Sequence, residues 1–191
     1  MHGSIMAEMQ AYLAAGNRLP DKSDLDPNHA VYGRERWELL HLQVCGEPIA
    51  SVVRHFPVTM ATLARVPGLC TAMFSRLPPE RSYIPRHRDG ESGTLRMHLG
   101  LKVPDQGRCY IRIADQDLSW QVGRAFVMDV GANEHEVLKD AEQERIILIV
   151  DFLRPLPRTI AWISWWLYRW HVGKAARAML RDSYRKLEGI S

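Results

Sequence analysis

IPRHRDGESGTLRMHLGL, residues 84–101, holds two extended runs joined by a turn around Gly90 and Gly93, and its texture decides the fold. In a strand, alternate side chains share a face, so His87 and Asp89 present an imidazole and a carboxylate to one side. After the turn the same rule puts Arg96 and His98 on one face and Leu95, Met97 and Leu99 on the other. A strand with one basic and one apolar face suits anion binding inside a barrel. The HxD pair alone is weak, because eight histidines among 191 residues produce such a pair by chance about half a time.

Outward from this stretch the texture stays β-like. Short runs of Ile, Val, Leu and aromatics, separated by Pro, Gly and Asp, predict strands at 72–77, 84–89, 94–102, 109–114, 125–130, 135–139 and 145–153. That density predicts a mainly β jelly-roll barrel rather than alternating βαβ units. His135 opens one of these strands and would complete two histidines and one carboxylate, the set that leaves one octahedral face of a non-haem iron open. Taken singly, His135 reads equally as an ordinary satisfied histidine. Arg145 opens the apolar run ERIILIVDFL, where a charge needs a partner or a path to water. By itself it reads as a strand-end arginine snorkelling to solvent.

Residues 5–66 read as helices separated by loops, with a break at Pro20, Asp21, Ser23 and Asp24 and a short helix opened by Pro57. After Pro155 and Pro157 a helix is predicted over residues 162–187, with Trp162, Trp165, Trp166, Tyr168 and Trp170 clustered in it. The composition, 46% apolar, supports a normal core. Three scattered cysteines, Cys45, Cys70 and Cys109, form no CxxC pair and argue against a disulfide framework or a thiolate zinc site. No apolar run of membrane-spanning length and no secretory leader is evident, so a cytoplasmic protein is expected. Net charge is +3, yet residues 154–191 hold eight Lys/Arg against two Asp/Glu, leaving the rest of the chain at −3. Nothing points to nucleic acid as a partner, and no GxSxG or cysteine nucleophile suggests a hydrolase.

Three segments, HRDGESGTLRMHLGL (87–101), SWQVGRAFVMDVGANEHEV (119–137) and RIILIVDFLRP (145–155), resemble in order and spacing the aspartyl/asparaginyl β-hydroxylase family. The upstream segments FPVTMATLARVPG and AMFSRLPP are similar to it as well. The resemblance implies a double-stranded β-helix, cupin-like in form, that uses Fe(II), 2-oxoglutarate and O2. It implies His87 and His135 at the metal, to which the HxD pair adds Asp89, and Arg96 and His98 at the chelating end of 2-oxoglutarate. Arg145 would take the distal carboxylate, with help from Ser75.

Two departures from the animal members stand out. They have glycine in place of Asp89, whereas the bacterial branch, including lipid A acyl-chain hydroxylases, carries HRD. Thr94 stands where an arginine that holds an acidic substrate residue would be expected. The implied function is hydroxylation of an unactivated C–H in an amino-acid-type substrate, free, carrier-tethered or peptidyl. The alternatives are a lipid acyl-chain hydroxylase at a membrane surface and a non-catalytic barrel that only binds.

The expected organisation is a helical support over 1–70, the β-helix core over 71–153 and a Trp/Arg-rich helical tail over 154–191. The tail, with Lys174, Arg177, Arg181, Arg185 and Lys186 following the tryptophans, reads as an interfacial helix making peripheral membrane contact, or as a helix packed on the barrel. Trp37 and Trp120 are expected to line a substrate pocket or to be core, and Glu134 and Glu136 to face away from His135.

Overall fold

The computed structural model describes residues 1–25, 36–89, 93–167, 170, 174, 177, 178, 180 and 182–184. Among the described residues, ten strands form two antiparallel sheets. The larger has the order β2-β1-β3-β10-β5-β8, from β1 (Glu38–Val44), β2 (Glu47–Pro48), β3 (Leu69–Leu77), β5 (Thr94–Lys102), β8 (Ala125–Met128) and β10 (Arg145–Leu153). The smaller has the order β4-β9-β6-β7, from β4 (Ser82–His87), β6 (Arg108–Ile113), β7 (Gln116–Ser119) and β9 (His135–Asp140). This is the expected jelly-roll: mainly β, with helices flanking it.

The central strands of the larger sheet are buried on both sides, which explains the long apolar run in β10. Its residues 145–151 are all buried. On β3, Ser75 turns to one face and meets Arg145, while Phe74 turns to the other and packs on Phe56 at a ring distance of 5.0 Å. The outer face is covered by α1 (His2–Ala14), which contributes Ile5 and Met9, and by the region of α3 (Ala50–Val53) and α4 (Pro57–Leu63), which contributes Val52, Phe56 and Leu63. Pro57 sits in the first turn of α4, where its missing N–H costs no hydrogen bond. Glu8 of α1 takes the N–H groups of Val58 and Thr59 at 2.7 and 2.9 Å, tying the two helices together.

Several expectations are corrected. Residues 5–66 are not all helix and loop: β1 runs through them and pairs with β3. Leu39, Leu40, His41 and Leu42 are all buried, and the alternation of Leu40, Leu42 and Val44 with His41 and Gln43 is too short to mark the strand by itself. The hairpin to β2 turns on Cys45 and Gly46, both at positive φ, the conformation that two-residue hairpins need. The edge strand β7, with the sequence QDLS, has no apolar signature and was not expected. The strand expected over 84–89 ends at His87, and that over 125–130 ends at Met128.

The C-terminal helix α5 (Arg158–Leu167) begins earlier than expected. Tyr168, Arg181, Arg185, Lys186 and Leu187 lie outside the described residues. Farther along, Leu180 and Tyr184 are buried in the core, and the Tyr184 hydroxyl accepts the His41 backbone N–H at 2.7 Å. Among the described residues no helix is long and apolar enough to cross a membrane.

Candidate functional site

β4 and β9 bring the two histidines together, since His87 and His135 are register partners. The register slips between Ile84 and His87, so three steps on β4 face two on β9. Pro85, which has no N–H for the ladder, lies in that bulge, and its carbonyl meets His87 Nδ1 at 2.7 Å. A carbonyl only accepts, so Nδ1 carries the proton and Nε2 keeps its lone pair. Nε2 lies 3.6 Å from Asp89 Oδ1. Asp89 sits just past the strand and reaches this position because its backbone N–H bonds the Val130 carbonyl at 3.2 Å. Ligand atoms of His87, Asp89 and His135 all fall within 4.8 Å of one another. Two imidazoles and a carboxylate this close suit a divalent first-row metal.

Charge around the trio is arranged from β5 and β10. Arg96 bonds Asp151 in two-pronged fashion, Nε to Oδ1 at 2.7 Å and Nη2 to Oδ2 at 2.9 Å, and its Nη1 bonds Asp89. Burial opposes ionisation of Asp89, but Arg96 and the two histidines outweigh it and hold the carboxyl below its usual range. Burial, reinforced by the neighbouring His87, pushes His135 down to about 4, so the ring is neutral at pH 7 and able to ligate.

Behind the trio lies a second group. His98 is buried and its pKa lies well below the usual histidine value, first through burial and then through Arg96, Arg145 and His135 around it. Trp120 donates its indole N–H to His98 Nδ1 at 3.3 Å and stacks on the ring. The proton of neutral His98 is therefore on Nε2, and that atom is buried without a partner.

Arg145 is 2% exposed, and no carboxylate pairs with it among the described residues. Its guanidinium lies 4.6 Å from the Trp120 ring centroid, its Nη2 donates to Ser75 Oγ at 2.8 Å, and its Nε has no partner. Burial lowers its pKa only to about 10, so the charge stays at pH 7. Ser75 Oγ also accepts the Trp37 indole N–H at 2.9 Å, which uses both lone pairs and leaves its hydroxyl hydrogen to donate. A buried cation and two donors with no acceptor are costly unless an anion completes them.

Sequence reasoning named all seven of these polar residues. It did not single out Asp151, and it left Trp37 and Trp120 as core or pocket lining, where the structure has both donating to site residues. Asp151 was detectable as the sole charge inside IILIVDFL. Glu134 and Glu136 do point elsewhere, to Arg86 at 3.1 Å and to the Tyr83 hydroxyl at 2.7 Å.

A family model described as aspartyl/asparaginyl beta-hydroxylase matches residues 2–155, a span that includes the whole site. The chain belongs to that family. It is 34% identical over 164 residues to the ornithine lipid ester-linked acyl 2-hydroxylase of Rhizobium tropici, covering 85% of this chain and 58% of that protein. It is 46% identical over 61 residues to the mouse aspartyl/asparaginyl beta-hydroxylase, covering 32% of this chain and 8% of that protein. The chain thus spans little more than half of the first relative and a small part of the second. A Pseudomonas putida prolyl-4-hydroxylase shares the fold, with a TM-score of 0.53 at 21% identity over 80% of this chain and 86% of that one.

Proposed function

We propose that the chain is an Fe(II)- and 2-oxoglutarate-dependent hydroxylase that oxidises an unactivated C–H of a lipid acyl chain. The observation that carries this reading is the pairing of two complementary sites in one barrel. A dication set, His87, Asp89 and His135, stands in front of an anion cradle, Arg145, His98 Nε2–H and Ser75 Oγ–H. When bound, the iron with 2-oxoglutarate and O2 supplies the oxidation that turns C–H into C–OH, the cosubstrate leaving as succinate and CO2.

The chain's own residues do the rest. Pro85 fixes the His87 ring, and Arg96 keeps Asp89 ionised. Trp120 sets the tautomer that makes His98 a donor. Arg145 and Ser75 would take a carboxylate of the cosubstrate, a reading supported by the buried guanidinium and its bond to Ser75 Oγ.

The acyl-lipid choice rests on two supports. The first is the likeness over 85% of the chain to an acyl 2-hydroxylase. The second is Thr94, which is 2% exposed and stands where the resemblance implies an arginine for an acidic substrate residue, so that one contact with peptidyl aspartate is missing.

The test measures iron content and succinate release for the unmodified chain and for His87→Ala and His135→Ala, with acyl lipids, free amino acids and peptides compared. Loss of metal and turnover in folded variants, with acyl lipid the best stimulant, is the expected outcome. Normal iron retention and turnover in both variants would remove the assignment. Binding of 2-oxoglutarate without succinate release under any condition would favour a barrel that only binds.

A further inference from the structure

Large exposed apolar side chains are scattered over most of the described surface, but six of them gather in one short stretch: Leu156, Ile160, Trp162, Ile163, Trp166 and Trp170. Trp162, Trp166 and Trp170 are 69%, 52% and 62% exposed. On α5 the spacing of Trp162, Ile163 and Trp166 places them on one side, within an arc of about 100°. Trp170 continues that side, its ring 5.9 Å from Trp166. Trp165, in contrast, packs against the core and anchors the helix. The sequence of α5 contains no carboxylate.

We infer that this face of α5 docks on an anionic lipid surface, at the end of the barrel where Asp89 lies. Three observations choose this occupant. Tryptophan favours the boundary between headgroups and acyl chains, because its ring is apolar and its N–H still needs a polar neighbour. In sequence, the segment 154–191 holds eight cations and two anions while the remainder of the chain is at −3, so the apolar face belongs to the basic part of the chain. A second copy fits less well: a patch one helix wide would bury about 500 Å² on each partner, against roughly 800 Å² in a stable pair.

Position adds a consequence. The chain enters α5 through Arg154, whose backbone N–H bonds the Gly93 carbonyl at 3.2 Å and whose guanidinium pairs with Asp129. The neighbouring Val130 carbonyl receives the Asp89 N–H. A membrane under α5 would therefore adjoin the end of the barrel that carries the metal trio. The family match ends at residue 155, so α5 lies beyond the part this chain shares with that family model.

The experiment is co-sedimentation of the full chain, without iron or 2-oxoglutarate, with vesicles of phosphatidylcholine and phosphatidylglycerol in equal parts and with phosphatidylcholine alone. Binding to the anionic vesicles is expected, weaker by at least about ten-fold on the neutral ones. A triple variant, Trp162→Ser, Trp166→Ser and Trp170→Ser, should weaken anionic binding at least about ten-fold while leaving the thermal transition in place.

Quenching of tryptophan emission by brominated acyl chains on the unmodified chain gives an independent readout should the variant fail to fold. Three results would overturn the inference: no binding and no quenching, a triple variant that binds like the parent, or self-association that the triple variant abolishes. The experiment needs no turnover, so the hydroxylase reading and the docking surface can fail separately.

Discussion

Arg145 has no carboxylate to neutralise it among the described residues, and its burial is nearly complete. Such a charge costs stability in the unliganded protein, and replacing it with an apolar residue of similar length should relieve that cost. Arg145→Met is expected to raise the thermal transition of the ligand-free chain, by about 1–4 kcal/mol in stability. At the same time it should raise the 2-oxoglutarate concentration needed for half-maximal succinate release. A variant that is less stable and has unchanged cosubstrate dependence would show that Arg145 serves packing alone.

Trp120 acts through His98, so its role is separable from its bulk. Trp120→Phe keeps a ring beside His98 and under Arg145 but removes the donor that holds the proton on Nε2. Losing one such hydrogen bond, worth about 1 kcal/mol, should raise KM for 2-oxoglutarate about five-fold with little change in kcat. A fall in kcat at constant KM would place the tryptophan elsewhere in the chemistry.

Among the elements, β10 carries most of the organisation. It contributes Arg145 at one end and Asp151 towards the other, with an apolar run between them. Asp151 is directly opposite Arg96 in the ladder, which is why the two side chains pair so closely. Asp151→Ala leaves the half-buried Arg96 with fewer acceptors and should destabilise the protein, with about 3–5 kcal/mol as the range for a fully buried pair. Asp89 remains to share the charge, so denaturant unfolding should place the loss toward the lower figure.

How much of this was legible depends on which face each strand shows. β5 and β10 were placed at their observed limits because β5 alternates and β10 is too long and too β-branched to mistake. β1 was hidden because its alternation covers only Leu40–Val44, and so short a run does not tell a strand from a stretch of helix. The candidate metal trio was visible as HxD plus a distant histidine, although strand alternation is not what joins its first two members. A proline bulge and a bond to the Val130 carbonyl bring Asp89 beside His87, and neither is written in a period-2 pattern. The network of Asp151, Trp37 and Trp120 depends on pairing between distant strands, which one sequence without its partners does not reveal.

For the whole molecule, His41 links the barrel to the C-terminal segment. Its ring is buried beside Tyr184, and burial, followed by Lys22 and Arg96, pushes its pKa down to about 3. The folded chain therefore binds this proton only near pH 3, whereas the unfolded chain binds it below about 6.5. Stability from this group is complete above pH 6.5 and falls as pH drops from there toward 3, by about 1.4 kcal/mol per pH unit. His41→Asn should flatten the pH dependence of urea unfolding in that window. An unchanged slope would mean the ring already opens to water in the folded state.

The order of strands in the larger sheet sets the sequence of events during synthesis. β10 lies between β3 and β5 yet follows both by tens of residues, so a growing chain ending before Arg145 presents two long unpaired edges. Until β10 inserts, Ser75 has no Arg145, and Arg96 has no Asp151. A ribosome-bound fragment would hold His87, Asp89 and His135 but not the strand that supplies their electrostatic setting. Closure of the barrel and completion of the charge setting around the candidate metal trio therefore wait on the same strand.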